Sequence, residues 1–371
     1  MRNRSFASIM LNAIFFFSFG LLCFGVIQAQ PGDLRTPKQI AKELKEKLAR
    51  ANEYIRENPD DANYYDDRGE VYMEFFRQAE KLSETQDERA AYAERAFADF
   101  DKAIELAPNS SIAFFKRAEY RQWTDWLLNS DAVISDYLEA IRLSKANFHL
   151  QHPNLAEDND DDSAYAETFL KISYVYSNRA KTLSMKPVML GSYGLKPEQL
   201  AEFRLLHPQY SVLDDLDAAV ECSKKVMANA ELAAIYEPWL VTGNLMLKGN
   251  AAFQLKQYQV ALDAYDSAEA YWNKKIDIAC QRTPNPCAYN TNYDKKIFRY
   301  SLSLSLAKVY LKLKESKKAL AELNYYLSDE KNNQCSEPFG LRAIAYRWLG
   351  QDELAEADEK RAGELPRCGN E

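Results

Sequence analysis

The chain has 371 residues, 47% of them hydrophobic, with only 12 Gly and 13 Pro, so it can build a large core and is neither disordered nor collagen-like. Its length suits two domains or one elongated array. Lys and Arg number 47 against 55 acids, a net charge of −8 without a concentrated basic block, which argues against nucleic acid as a partner. Three His argue against a multi-histidine metal centre.

At the N-terminus Arg2 and Arg4 precede an apolar run from Phe6 to Ile27, and Ile27-Gln28-Ala29 offers small or aliphatic residues to a signal peptidase. This three-part pattern is that of a secretory signal peptide. Residues 1–29 are therefore expected to be cleaved, leaving an extracytoplasmic chain, periplasmic or secreted, with no transmembrane segment. The rival reading is an uncleaved anchor, because the run approaches the length of a bilayer span. Leu22 is bulky where lipid attachment at Cys23 would want a small residue. Loss of residues 1–29 removes two arginines and no acid, taking the net charge to −10.

Residues 30–58 hold one expected helix, Thr36–Glu57, which starts on Pro37 and ends at Asn58-Pro59. A repeat follows. In its first unit Tyr65, Gly69 and Tyr72 stand on one helix, and Ala96, Phe100 and Ala103 on a second that Pro108 ends. Small residues let two helices approach, and aromatic rings fill the gap between them. Further units open at Phe114 and Ala118, Tyr176 and Ala180, Leu245 and Gly249, Leu306 and Ala307, and Ala343 and Tyr346. They close at Tyr137 and Ala140, Leu216 and Ala219, Tyr265 and Ala268, Ala319 and Leu323, and Ala355 and Ala362. In units four to six the small residue of the first helix stands twelve positions before the Ala that opens the second.

The stretch Ala96–Asn109 resembles the second helix of a tetratricopeptide (TPR) repeat, and Asn58–Tyr65 the junction that leads into a first helix. The resemblance covers roughly Pro59 to Arg361. It implies an all-α fold, a TPR-like right-handed superhelix of antiparallel helix pairs with about five to six repeats and long inter-helix insertions. The expected organisation is units one and two over 59–147 and an acidic loop with an irregular third unit over 148–230. Unit four takes 231–275, a cysteine-bracketed loop 276–299, and units five and six 300–371. No alternating apolar run argues for a sheet.

No catalytic constellation stands out: no Gly-rich phosphate loop, nucleophile elbow or zinc-binding His-Glu-x-x-His helix is present. The expectation is a protein that is not an enzyme and carries no cofactor and no metal. His149 and His152, followed by Glu157, Asp158, Asp160, Asp161 and Asp162, have the ingredients of a calcium loop. Ser163 and Phe169 stand where the calcium motif needs Gly and Glu, and the other reading is a solvated loop before a helix, Tyr165–Lys181. His207 is read as structural or exposed, and the acid pairs Asp66-Asp67 and Asp214-Asp215 as solvent-facing.

Cys280 and Cys287 bracket a turn-rich loop that a disulfide would close, two thiols being the alternative. Cys335 precedes the first helix of the last unit and Cys368 follows its second, so antiparallel helices bring them into range of each other. Cys222 lies in a helical run and is read as a small buried residue with a thiol.

In the TPR family the first helix of each pair lines the inner face and holds a peptide or partner helix. The resemblance thereby nominates Asp66, Glu70 and Met73, then Phe115, Glu119, Gln122 and Trp123. Further along it nominates Met246, Asn250 and Phe253, and at the C-terminal end Lys308, Leu311, Lys312, Arg347 and Trp348. These residues grade from acidic through aromatic to basic. Asp66 and Glu70 occupy positions where members that clamp acidic chaperone tails carry Lys and Asn, so that ligand is argued against. The expected partner is a protein or peptide, with self-association open. The alternative is an envelope sugar or polysaccharide bound on Trp123, Trp126 and Tyr-rich loops.

Overall fold

The computed structural model describes residues 35–151, 165–184, 196–227, 229, 239–282 and 291–367. Among them are fourteen α-helices, one 3-10 turn and no strand. In chain order the helices are α1 (Pro37–Glu57), α2 (Ala62–Gln78), α3 (Gln86–Leu106), α4 (Ser111–Arg121), α5 (Ser130–Gln151), α6 (Ala166–Ser184) and α7 (Pro197–Leu206). Then come α8 (Val212–Val226), α9 (Trp239–Gln254), α10 (Tyr258–Arg282), α11 (Thr291–Lys312), α12 (Ser316–Leu327), α13 (Glu337–Trp348) and α14 (Asp352–Glu364). Two compact parts result, Met1–Asp160 with Lys186–Pro208, and Asp161–Met185 with Gln209–Glu371.

Local chemistry sets the ends of these helices. Thr36 accepts from the Gln39 amide while Gln39 Oε1 accepts from the Thr36 amide at 2.8 Å, and Thr85 and Glu88 repeat the arrangement at the head of α3. Each such box contributes about 1 kcal/mol. Pro59 and Pro108 disfavour helical geometry in the residue before them, so α1 stops at Glu57 and α3 at Leu106. Four of the six hairpin turns share one closure. Lys256, Lys314 and Gly350 adopt φ of 62°, 61° and 71°. The amides after them, on Gln257, Glu315 and Gln351, donate back to the carbonyls of Ala252, Tyr310 and Tyr346 at 2.8, 2.8 and 3.0 Å. Ser83, at φ 58°, does the same in the first hairpin, with the Glu84 amide donating to Ala79 at 2.9 Å. This is the left-handed helix stop.

The pairs are α2 with α3 and α4 with α5 in the first part. The second part pairs α6 with α8, α9 with α10, α11 with α12 and α13 with α14. Within a pair the small residue lies under a ring, as the repeat spacing implies. A Cβ built on Gly69 would stand 2.6 Å from Phe100 Cε1, and one on Gly249 would stand 2.3 Å from Tyr265 Cε1. The pairs pack all-α, with Ala118, Ala180, Ala307 and Ala343 fully buried or nearly so at the equivalent positions.

A second repeated feature escaped the hydrophobic pattern. Arg68, Arg117, Arg179 and Arg342 each immediately precede the small residue and grip an aspartate of the second helix with two nitrogens. The pairs are Arg68–Asp99, Arg117–Asp136, Arg179–Asp215 and Arg342–Asp358, with Nε and terminal-nitrogen distances of 2.6–2.9 Å. The remaining nitrogen of three of these arginines reaches back to the preceding second helix. Arg68 donates to Asn52 at 2.9 Å, Arg117 to Asp101 at 2.6 Å and Arg342 to Asn324 at 3.0 Å. In the fourth pair Lys248 replaces the arginine, Ala264 replaces the aspartate, and Lys248 pairs with Asp217 of α8. By this register α1, which supplies Asn52, stands as the second helix of a half-repeat before the first pair.

Three expectations are corrected here. Asp66 and Asp215 are 4% and 5% exposed, so in each acid pair only the other member, Asp67 or Asp214, faces solvent. Most of 276–299 is helix, because Ala268, Trp272 and Ile276, and likewise Phe298, Leu302 and Leu306, recur one turn apart and are buried. Cys222 is a half-buried thiol, not a core residue. Within the insertion of the third repeat, α7 belongs to the first compact part: Gln199 donates to Asp125 at 2.9 Å, and His207 stacks on Phe203 and pairs with Asp131 at 3.2 Å. That agrees with a structural His207. Residues 1–29, His152, the acidic run 157–162, Cys287 and Cys368, and the side chains of His149 and Cys280, lie outside the described residues.

Candidate binding face

The nominated residues sit on the first helices of their pairs, except Gln122 and Trp123, which follow the end of α4, and their exposure sorts them. Met73, Asp66 and Leu311 are 0%, 4% and 6% exposed, so Met73 and Leu311 belong to the core and offer no surface. Met73 packs with Phe76, Ala96 and Phe100, and Leu311 with Ala319 and Ala345. Phe115 lies edge-on to Tyr137, and Gln122 donates to the Tyr137 hydroxyl. Met246 and Phe253 are half-buried, whereas Asn250 is exposed and accepts from the Tyr265 hydroxyl at 2.7 Å.

In the first compact part, α2 and α4 present one shared acidic face. Asp66, Glu70 and Glu74 recur every fourth residue along α2. Lys116 of α4 stands 3.0 Å from Glu70 and 3.9 Å from Asp66, and Arg77 pairs with Glu74 at 3.2 Å. Burial pushes the Asp66 carboxyl up to about 6, with Glu70 and Asp67 adding to the rise and Lys116 opposing it. Tyr120 of α4 is likewise driven upward by burial and by the negative charges of Glu70, Glu119 and Glu74. Trp123 meets Tyr120 edge-on, and the Arg77 guanidinium lies 5.3 Å over its ring. Trp123 is thus half-buried between Tyr120 and Arg77.

At the other end of the chain, within the second compact part, Ile344 and Trp348 are 42% and 52% exposed and four residues apart on α13, so they form one apolar stripe. Ile344 was not nominated by the sequence, although it occupies the register of Glu70, Glu119, Asn250 and Lys308. Lys312 of α11 is exposed. The other nominated cations are neutralised within the fold. Lys308 pairs with Glu337 at 2.7 Å, and Arg347 is held by both oxygens of Glu359 at 2.9 and 2.8 Å. Both ends of the gradient are thus largely ion-paired, Glu70 with Lys116 at one and Lys308 with Glu337 and Arg347 with Glu359 at the other.

An open hollow of about 520 Å³ between α4 and α5 is lined by Phe114, Arg117, Ile134, Leu138, Glu139 and Arg142. Its charges are spent on one another, Arg142 on Glu139 and Arg117 on Asp136, so it offers no charged ligand a counter-ion. Among the described residues no group of three His, Cys, Asp or Glu is placed to hold a metal ion, and no helix is long and apolar enough to cross a membrane.

Small residues under rings, left-handed hairpin stops and a first-helix face repeated from pair to pair decide the class. Among the described residues the fold is all-α, built of antiparallel helix pairs whose spacing resembles that of TPR repeats. No family model matches it, and no curated protein matches it. Among solved structures, the crystal structure of the TPR domain of P58(IPK) is 14% identical over 87% of this chain and 89% of that one, with a TM-score of 0.25. The helix pairs themselves, and not that likeness, carry the assignment.

Proposed function

We propose that the chain is an exported, non-catalytic scaffold that holds a protein segment along the faces of its first helices. The observation that carries the reading is the Ile344–Trp348 stripe, two large apolar side chains left in water where a monomer gains nothing by exposing them, with exposed Lys312 at the register position of Trp348 on α11. An exposed Trp with a cation at the same register position of the preceding first helix suits a segment with a bulky apolar residue next to a carboxylate, and aromatic anchors usually carry more affinity than rim charges. Fluorescence anisotropy with a labelled peptide ending in Asp-Leu-Phe tests this. Trp348→Ala should weaken binding by about 2 kcal/mol, and Lys312→Glu should mainly slow association. Equal binding by a folded Trp348→Ala variant would remove this end from the groove.

Export rests on Arg2, Arg4, the apolar run Phe6–Ile27 and Ala29, and N-terminal sequencing of the natural product should begin at Gln30. The same compartment permits disulfides Cys280–Cys287 and Cys335–Cys368. The Ser336 amide donates to the Pro366 carbonyl at 2.8 Å, which brings the segment after α14 back beside Cys335 and supports the second bridge. Such a link would fasten the terminal hairpin by about 2–4 kcal/mol. Non-reducing peptide mapping checks both; five free thiols in mature material would refute them.

A further inference from the structure

The acidic face of α2 and α4 contains an atom that the fold leaves unsatisfied. Asp66 is 4% exposed, its Oδ1 has no hydrogen-bond partner, and its Oδ2 reaches only Lys116 Nζ, at 3.9 Å. A buried carboxylate oxygen without a donor costs stability, and natural folds rarely keep one. Its Oδ2 faces Lys116, which pairs with Glu70, so Asp66 shares the face of Glu70 and Glu74. Glu70 there is met by Lys116, and Glu74 by Arg77 and by Gln78, whose Nε2 donates to it at 2.9 Å. The missing donor on this face is the one that Asp66 Oδ1 lacks.

We propose that this face is a subsite for the basic side chain of a bound protein segment, a Lys or Arg whose cationic head supplies the donor that Asp66 lacks and joins Lys116 on Glu70. An ammonium brings three N–H donors and a guanidinium five, with no acceptor to conflict with the carboxylates. Asp66 has already lost its water in the free protein, so a cation arriving there gains a charge-assisted bond without a fresh desolvation cost for that group. Lys116 already shows the geometry on a small scale, bridging Glu70 while standing beyond bonding distance of Asp66. The Ile112 side chain, 64% exposed at the start of α4, offers apolar contact to the aliphatic stem of such a residue. The subsite rests on the scaffold reading above and places a basic residue of the partner at the opposite end of the repeat register from the Trp348 anchor.

The test uses the mature chain and three labelled probes: a Lys-Ala-Ser repeat peptide, its acetyl-lysine twin, and the acidic peptide described above. The lysine peptide should bind and the acetylated twin should not. Asp66→Asn, which keeps shape and burial, should weaken the lysine peptide tenfold or more, and Glu70→Gln should do likewise. Glu94→Gln, an equal loss of charge on the exposed side of α3, should leave it unchanged. Parental affinity in Asp66→Asn, equal binding of the acetylated twin, or an equal loss in Glu94→Gln would overturn the subsite, the last by reducing the effect to net charge. If the acidic peptide binds and the lysine peptide does not, this inference alone falls. If neither binds, the scaffold reading falls with it.

Discussion

Arg179 donates from Nε and a terminal nitrogen to the two carboxylate oxygens of Asp215 at 2.7 and 2.6 Å, and both side chains are almost wholly removed from water. The Tyr210 hydroxyl donates to the same carboxylate at 2.7 Å, and the rings of Tyr176 and Tyr210 flank the guanidinium. The pair ties the first helix of the third repeat to its second across the longest insertion in the repeat. Three other repeats use the same device with more solvent access.

Breaking that pair on one side strands a buried charge. Arg179→Met should cost about 3–5 kcal/mol in urea unfolding, because Asp215 is left without its counter-ion. The double variant Arg179→Met with Asp215→Leu should recover much of the loss, since an apolar pair avoids the desolvation cost. By contrast Arg347→Ala, which frees an exposed Glu359, should change stability by less than about 1 kcal/mol.

The hairpin stops make an opposite prediction. Lys256 and Lys314 hold positive φ where a side chain crowds the following carbonyl, at a cost of roughly 1–2 kcal/mol each, while Gly350 fills the same place without strain. Lys256→Gly and Lys314→Gly should each raise stability by about 1 kcal/mol, measured by thermal unfolding. A Gly350→Ala variant should lose a similar amount.

Glycine within helices separates two cases. Gly249→Ala improves helix propensity yet pushes a methyl group onto the Tyr265 ring, so a net loss of about 1–3 kcal/mol is expected. At Gly340 in α13 an added methyl group would meet nothing within 4 Å, so Gly340→Ala should stabilise by about 0.5–1 kcal/mol. Equal effects of the two substitutions would contradict the close approach of α9 and α10.

The sequence made the helix pairs legible because small residues and rings recur at fixed spacing, as at Gly249, Ala261 and Tyr265. It did not reveal the arginine–aspartate ladder, since each acid was weighed for its own polarity and not against Arg68, Arg117, Arg179 and Arg342 in the matching place. That signal was present in the chain itself: Arg stands before the small residue in four of the six pairs. Helices α10 and α11 outrun the repeat because Trp272, Ile276 and Phe298 continue its apolar stripe beyond the spacing the repeat requires. On the binding face, register located the helices but not the burial. Leu311 and Met73 point into the core, and the charge of Arg347 is cancelled by Glu359, a residue of the neighbouring helix that register alone does not place.

Asp66 gives the fold a pH signature. Burial raises its folded carboxyl to about 6, above the ordinary 3.8, so the folded state keeps a proton that the unfolded chain releases first. Stability from this group is therefore full below about pH 4 and is lost as pH rises to about 6. Asp66→Asn should remove that slope, so that the variant gains on the parent from about pH 4 to about pH 6 and stays more stable above it. A parent and variant with parallel stability profiles would show that Asp66 is well satisfied in the free protein.

The scaffold reading proposed above puts partners along the first helices and not the second. A photo-crosslinking residue placed singly at Asn250, Lys312 or Trp348 on first helices, and at Glu94 or Lys317 on second helices, separates the two faces, with adducts to a peptide selected from a random library read by mass spectrometry. Adducts are expected from the first set and none from the second. Adducts concentrated at Glu94 and Lys317, with none at the first-helix positions, would refute the scaffold reading.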